Sequence, residues 1–168
     1  MTAAEAFDLY HVAVFRFVYR MTRCADTADD IAQECFLAFM RTPERYDQAR
    51  GPVKTFLFSI ARNLVLKEHR DRRVEAPLET DDFARGCEPA LRFELSFAVE
   101  NAVAALPSLQ RETLILFVYE GFTLEEIGEI AGVDIGAVKS RLHRARERLK
   151  KTLAPYKPAG GVHETGSK

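Results

Sequence analysis

The sequence has no tryptophan, few cysteines, no long apolar run and no excess of charge of either sign. Without tryptophan, no site in the chain can offer an indole donor. Three cysteines, an odd number in 168 residues, exclude a disulfide framework and fit a reducing compartment. A spanning helix needs about 20 predominantly apolar residues, and the best stretch, residues 12–19, is short and interrupted by Arg16. The N-terminus lacks a basic segment followed by an apolar core, as a signal peptide would have. The expected setting is therefore the cytoplasm, without membrane insertion. Catalytic signatures are missing as well: there is no HExxH, no P-loop and no GxSxG, and Cys24, Cys35 and Cys87 lack CxxC spacing. No enzyme activity, catalytic residue, cofactor or metal site is expected. A zinc or redox sensor built on Cys24, Cys35, His69 and Cys87 has the wrong spacing, and buried, unreactive thiols are the default. The net charge of -1, from 24 Lys+Arg against 25 Asp+Glu, speaks on average against a nucleic-acid partner.

What is present reverses that average. The 47% of apolar residues is that of a globular chain, and the length suits one domain or two small ones. Residues 1–73 carry 12 basic and 10 acidic groups, residues 74–93 carry 2 and 5, and residues 94–122 carry 1 and 4. Residues 123–154 carry 7 and 5, with all seven bases between Lys139 and Lys151 beside the single acid Glu147. A second basic block holds Arg62, Lys67, Arg70, Arg72 and Arg73 against Glu68 and Asp71. Patches rather than totals decide attraction to phosphate, and two basic patches here flank an acidic middle.

Helical periodicity runs through both flanks, with no internal repeat and no β-hairpin signal. The chain reads as all-α: two small helical domains, residues 1–73 and 94–154, joined by an acidic flexible linker at 74–93. Residues 155–168, rich in Pro, Gly and polar groups, read as a disordered tail. In the first block a long helix runs from Glu5 to about Arg23. A second covers Ala28 to Arg41, capped by Asp26 or Thr27. At about 100° per residue, Ala28, Ile31, Cys35, Ala38 and Phe39 share its core face. Asp30, Gln33, Glu34, Leu37, Met40 and Arg41 fall on the other side, a mixed face suited to a protein partner. The Asp29, Asp30 and Glu34 carboxylates near the helix start answer its dipole rather than perform acid–base chemistry. After a loop at about 42–52, an aromatic-rich helix from about Val53 to Arg72 interleaves Phe56 and Phe58 with Lys54, Arg62, Lys67 and Arg70. That combination suits unpaired nucleic acid, with rings stacking on bases and cations tracking phosphates. Most of Phe56, Phe58, Ile60 and Leu64 also read as core.

The second block carries the sharpest motif, FTLEEIGEIAGVDIGAVKSRLHRARERLK at residues 122–150. Thr123 with Glu126 forms a capping box, Gly132 ends a short helix at about Ala131, and Asp134 caps the next helix. Helix, Gly-containing turn, helix is the helix-turn-helix arrangement, whose second helix enters the major groove. Ile135, Val138, Leu142, Ala145 and Leu149 project to one side as core. Ser140, His143, Arg144, Glu147 and Lys151 project to the other, with Lys139 and Arg141 on the flanks. A preceding helix at about 109–121 supplies Leu114, Leu116, Phe117 and Val118 to the core.

With those residues in place, the chain resembles the extracytoplasmic-function group of sigma-70 family RNA polymerase sigma factors. The resemblance rests on DDIAQECFLAF (29–39), KTFLFSIARN (54–63) and LPSLQRETLILFVYEGFTLEEIGEIAGVDIGAVKSRLHRARERL (106–149), in order and spacing, and covers about residues 5–154. It implies a factor that binds core RNA polymerase, through the β′ clamp helices and the β subunit, and promoter DNA. The first domain would recognise and melt the -10 element, and the second would read the -35 element. Asp30, Gln33, Glu34 and Leu37 match the polymerase contact. Phe56, Arg62, Asn63, Lys67 and Arg70 match the -10 contacts, with Asn63 and the loop at 46–54 near a pocket for a flipped base, whose extrusion costs a few kcal/mol. Lys139, Ser140, Arg141, His143 and Arg144 match the -35 contacts. An anti-sigma factor is an expected partner. Phe56 stands where the family usually has tryptophan, which keeps a ring and loses the indole donor. His143 occupies a variable recognition position. The competing reading is a non-sigma helix-turn-helix regulator that binds duplex DNA, with a partner or ligand on its first block.

Overall fold

The structure is a computed structural model that describes residues 1–75 and 94–156. The expected linker and tail lie outside the described residues, apart from their ends. Seven α-helices are described: α1 (Ala3–Thr22), α2 (Ala25–Arg41), α3 (Val53–Glu75), α4 (Glu94–Ala104), α5 (Ser108–Leu114), α6 (Leu124–Ala131) and α7 (Ile135–Thr152). Short 3-10 turns at Pro43–Arg45 and Gln48–Arg50 break the loop before α3. Among the described residues there is no strand, and no helix is long and apolar enough to cross a membrane. The all-α reading holds.

Helix α1 starts with a capping box: the Thr2 backbone N–H donates to Glu5 Oε2 at 2.6 Å and the Glu5 N–H donates to Thr2 Oγ1 at 3.2 Å. It stops at Arg23, which adopts a left-handed backbone (φ 57°) unusual for a residue with a side chain. Helix α2 begins three residues earlier than the sequence suggests, at Ala25, and Cys24 at its N-cap makes no side-chain capping bond. The capping candidates are placed otherwise: Asp26 sits inside the first turn and the Thr27 hydroxyl accepts from Arg72 at 2.8 Å. Of the expected core face of α2, Ala28, Ile31, Cys35 and Phe39 are buried and Ala38 is half-buried at its edge, and Ala32 and Phe36 join the core. It packs on Val14, Phe17, Val18 and Met21 of α1 and on Leu57, Phe58, Ala61 and Val65 of α3. The Phe17 and Phe58 rings lie 5.3 Å apart. Phe58 is fully buried, whereas Phe56, Ile60 and Leu64 are half-buried at the edge.

In the C-terminal unit the Thr123/Glu126 capping box is present with both bonds, at 3.2 and 2.8 Å, and Gly132 closes α6 at φ 67°. Asp134 Oδ1 accepts from the Ala137 N–H at 2.7 Å to start α7. Gly128 is set by space: a Cβ there would stand 2.8 Å from the Val133 carbonyl, where the turn folds back on α6. Val138, Leu142 and Ala145 are buried on Ile127, Ile130, Leu114 and Leu116, but Ile135 at the start of α7 stays exposed. The segment after α5 departs from the expected regular helix. Ile115–Tyr119 forms a π-turn, closed by the Glu120 N–H on the Ile115 carbonyl at 3.2 Å. That wide turn adds a residue to the circuit, keeps Ile115 and Leu116 inside, and swings Val118 out to 57% exposure instead of into the core.

The two units pack on each other. Helix α3 lies against α6, and the Phe58 and Phe122 rings meet edge to face at 4.9 Å. The buried Arg111 guanidinium donates to the Met21 carbonyl of α1 at 3.0 Å and to the Leu106 carbonyl at 2.9 Å. These contacts place the helix-turn-helix beside the aromatic-rich helix α3.

Candidate nucleic-acid and polymerase interfaces

Three surfaces carry the residues singled out in the sequence. The first is the outer face of α2. Asp30, Gln33, Glu34, Leu37 and Met40 are all exposed, with Leu37 at 42% and Met40 at 59%. Arg41 Nη1 stands 3.7 Å from Glu34 Oε1. The opposite side of α2 is fully occupied by the core, so this row of carboxylates, amide and apolar groups is free to meet a partner.

The second surface is the start of α3 with its preceding loop. A pocket of about 460 Å³ opens there, lined by Arg45, Tyr46, Asp47, Thr55, Phe56 and Ser59. Phe56 stands 5.6 Å from Tyr46 and 6.2 Å from Phe39, ring centre to ring centre, which gives the pocket an aromatic wall. Tyr46 donates from its hydroxyl to the Gly51 carbonyl at 3.3 Å, and the Asp47 carboxylate accepts from the Ala49 N–H at 2.9 Å, so the loop is braced from within. Thr55 is buried, and its hydroxyl has no hydrogen-bond partner. A buried, unsatisfied hydroxyl costs on the order of 1–3 kcal/mol, which a polar edge entering the pocket can offset. Thr55 and Ser59, one helical turn apart, were not singled out in the sequence; their spacing relative to the loop is the signal that marks them. Farther along α3, Asn63, Lys67 and Arg70 are exposed. Arg62 is not among them: its side chain turns inward to an ion pair with Glu112 of α5, and the two are 14% and 3% exposed.

The third surface is α7. Lys139, His143 and Arg144 are exposed and Ser140 is partly so, on the side away from Val138, Leu142 and Ala145. Arg141 departs from this face. It is half-buried with one guanidinium nitrogen enclosed and unpartnered, and its charge acts on Glu112. Arg146 covers the Phe117 ring at 5.4 Å, and Glu147 is held below the usual carboxylate range by its hydrogen bond from Lys150 at 2.8 Å.

Electrostatics single out the junction between the units. Burial pushes the Glu112 carboxyl up, opposed by Arg62 and Arg141. Burial also raises Glu120, opposed by Arg20, Lys54 and Arg16. The Cys35 thiol, buried and donating to the Leu57 carbonyl at 3.3 Å, is pushed up to about 12 by desolvation. Among the described residues no three His, Cys, Asp or Glu side chains gather as a metal site; Cys87 lies outside them.

An all-α chain with an outward-facing helix-turn-helix, a basic and aromatic helix and a separate, exposed mixed face on α2 has the make-up of a transcription protein. Residues 6–75 match the family profile of Sigma-70 region 2, and residues 96–149 match that of Sigma-70, region 4. The chain is 30% identical over 165 residues to the ECF RNA polymerase sigma factor SigW of Bacillus subtilis, spanning 89% of this chain and 88% of the relative. It is equally 30% identical over 162 residues to SigL of Mycobacterium tuberculosis, spanning 90% and 92%. Among solved structures it superposes on the sigma factor RpoE of Bartonella quintana, determined in complex with the anti-sigma factor NepR. The TM-score is 0.78 at 26% identity, over 92% of this chain and 98% of that one. CnrH, solved with the cytosolic domain of CnrY, shares the fold with a TM-score of 0.69 at 22% identity, over 92% and 89%. The chain belongs to the extracytoplasmic-function group of the sigma-70 family, whose members bind core RNA polymerase and direct promoter-specific transcription. It is a family of specificity factors, not of catalysts, and the region 2 match in residues 6–75 disfavours a regulator that merely shares the helix-turn-helix.

Proposed function

We propose that residues 1–73 bind polymerase and open the -10 element while residues 94–154 read the -35 element, with 74–93 as the connection between them. The observation that carries this reading is the aromatic-walled pocket at the start of α3, the helix that farther along exposes Asn63, Lys67 and Arg70. A pocket of that volume, with Tyr46 and Phe56 as stacking walls and the Thr55 hydroxyl in its lining, fits one extruded base of the non-template strand. Asn63 contributes a side-chain amide, and Lys67 and Arg70 follow the strand's phosphates. Base flipping needs stacking and hydrogen bonding to offset the lost pairing, and both are available here. Phe56 supplies stacking without a donor, which shifts hydrogen-bond recognition to Thr55, Ser59 and the loop.

On α7, Lys139, Ser140, His143 and Arg144 face the major groove, where Arg144 can bond a guanine edge bidentately or a phosphate. Arg141 lies half-buried at the flank of that face, its charge acting on Glu112. On α2, Asp30, Gln33, Glu34 and Leu37 meet the clamp helices of the polymerase β′ subunit, the carboxylates pairing with bases and Leu37 filling an apolar gap. The β subunit is the further polymerase contact, an anti-sigma factor is the expected inhibitor, and the cytoplasm is the site of action.

Permanganate footprinting of the open complex tests the central assignment. Holoenzyme made with Asn63→Ala or Phe56→Ala is expected to bind core polymerase normally and to show weaker reactivity of unpaired thymines at the -10 element. Undiminished melting by both variants would remove α3 from that role.

A further inference from the structure

Helix α1 has one side that the rest of the described chain leaves uncovered. Its residues Ala6, Val14, Phe17, Val18 and Met21 point into the core shared with α2 and α3. On the far side, Glu5, Leu9, Val12 and Arg16 fall within an arc of about 60° at helical spacing. All four are exposed, Leu9 at 63% and Val12 at 43%. A single exposed apolar residue is ordinary. Here two adjoin on a stripe whose intervals alternate between four and three residues, as in a helix-pairing seam. The stripe ends in an acid toward the N-terminus and a base toward the C-terminus.

That order makes the stripe complementary to itself. A two-fold axis between residues 10 and 11 carries position 5 onto 16 and position 9 onto 12. An antiparallel second copy therefore sets Leu9 on the other copy's Val12 and Glu5 on the other copy's Arg16, with each contact made twice, as an isologous interface requires. Parallel pairing would set Glu5 on Glu5 and Arg16 on Arg16, and like charges in contact reject it. The Glu5 carboxylate is already fixed: the Thr2 backbone N–H donates to its Oε2 at 2.6 Å and holds it below the usual carboxylate range. Arg16, one of three cations whose charge reaches Glu120, has no ion pair of its own among the described residues.

The length of the open stretch sets the same register. Past Arg16 this side of α1 is occupied, since Tyr19, Arg20 and Arg23 form a cleft of about 180 Å³ with Glu100, Val103 and Tyr119. In the antiparallel register the second copy's α1 begins at Ala3, level with Val18, and so stops where that cleft starts. The paired stretch is roughly 16 Å long at 1.5 Å per residue. An interface of that size is smaller than a stable dimer needs, so the association is weak and depends on concentration.

We infer that α1 is a self-association surface, through which two copies of this chain pair antiparallel by Glu5, Leu9, Val12 and Arg16. None of the residues assigned to polymerase or promoter DNA takes part, so the inference stands or falls apart from the proposed function.

Sedimentation velocity on the full chain, up to about 0.5 mM, tests it. The wild type is expected to shift from monomer toward dimer as concentration rises, and added salt is expected to reverse the shift. Leu9→Asp, an exposed change, is expected to weaken association about tenfold or more with unfolding stability unchanged. Arg16→Glu alone sets Glu on Glu5, and Glu5→Arg alone sets Arg on Arg16, so neither variant should associate with itself. Mixed, the two restore both opposite-charge pairs and should form a heterodimer. Glu5→Arg also removes a capping group, which Leu9→Asp spares, so the two probes fail independently. A wild type that stays monomeric throughout, self-association that survives Leu9→Asp, or a mixture no tighter than its components overturns the inference. So does protection of Leu9→Cys from alkylation by core polymerase while the factor itself remains monomeric, which would assign the stripe to polymerase.

Discussion

Arg62 and Glu112 stand 50 residues apart in the sequence and form an ion pair across the contact between the N- and C-terminal units, with side chains 14% and 3% exposed. The geometry makes Arg62 a structural cation in the isolated chain. Removing one partner of a buried pair typically costs about 3–5 kcal/mol, because the other charge stays buried without compensation. Arg62→Ala is therefore expected to lower unfolding stability by about 3 kcal/mol, whereas Asn63→Ala, at an exposed position, changes it by less than about 0.5 kcal/mol. Urea denaturation of the two variants checks this. Equal stability of both would place Arg62 outside the packed contact.

The helix-turn-helix offers a case in which propensity and space disagree. Alanine is the better helix former, yet a Cβ on Gly128 would press on the Val133 carbonyl at 2.8 Å. Space should win, with Gly128→Ala costing about 1–3 kcal/mol. Thr123→Ala, which removes the capping hydroxyl, should cost about 1 kcal/mol. Thermal unfolding of the two variants gives the comparison, and a stabilised Gly128→Ala protein would refute the close approach.

Cys35 sets a pH dependence. Its folded thiol holds the proton up to about 12, against an ordinary value of 9.0 when the chain unfolds. The unfolded state therefore loses this proton first, and the contribution of Cys35 to stability, intact below pH 9.0, falls as pH rises from there toward about 12. Native Cys35 is expected to resist alkylation at pH 8 while partly exposed Cys24 reacts. Mass mapping of the alkylated sites is the measurement, and rapid native labelling of Cys35 would contradict its burial.

On α7, Arg144→Ala is expected to act through one of two signatures. If Arg144 meets a phosphate, promoter binding weakens uniformly and the salt slope falls by about 1. If it reads a base, affinity falls at that position and sequence preference relaxes there. Salt titrations on a promoter and on single-base variants separate the two, and no change in either would remove Arg144 from the interface.

On α2, Asp30→Ala with Gln33→Ala should weaken association with core polymerase and leave folding within about 0.5 kcal/mol of wild type, since both side chains are exposed. Competition with the unaltered factor for core polymerase measures this directly. Equal competition would take that face out of the interface.

Much of this was legible in local chemistry. The capping box at Thr123 and Glu126, the left-handed Gly132 and the Asp134 cap are short-range devices, and each appears in the structure as its residues dictate. The core and outer faces of α2 followed from periodicity for the same reason. The start of α2 was misplaced because the helix begins at Ala25 without a side-chain cap, so no capping residue marks its first turn; the Thr27 hydroxyl is taken instead by Arg72, 45 residues away. Val118 was misplaced because a π-turn shifts the period by one residue. Arg62 and Arg141 were read as DNA-contacting bases because the acid whose charge they meet, Glu112, belongs to a different stretch of chain. Long-range charge pairing is the part of this fold that periodicity cannot express, and it is the part that joins the two units.

Run-off transcription with purified core RNA polymerase tests the central claim most directly. The account predicts that core polymerase plus this protein starts a transcript at a defined promoter, while core alone does not, and that Asp30→Ala with Gln33→Ala diminishes it. No transcript at any promoter, together with tight binding of duplex DNA by the protein alone, would contradict it.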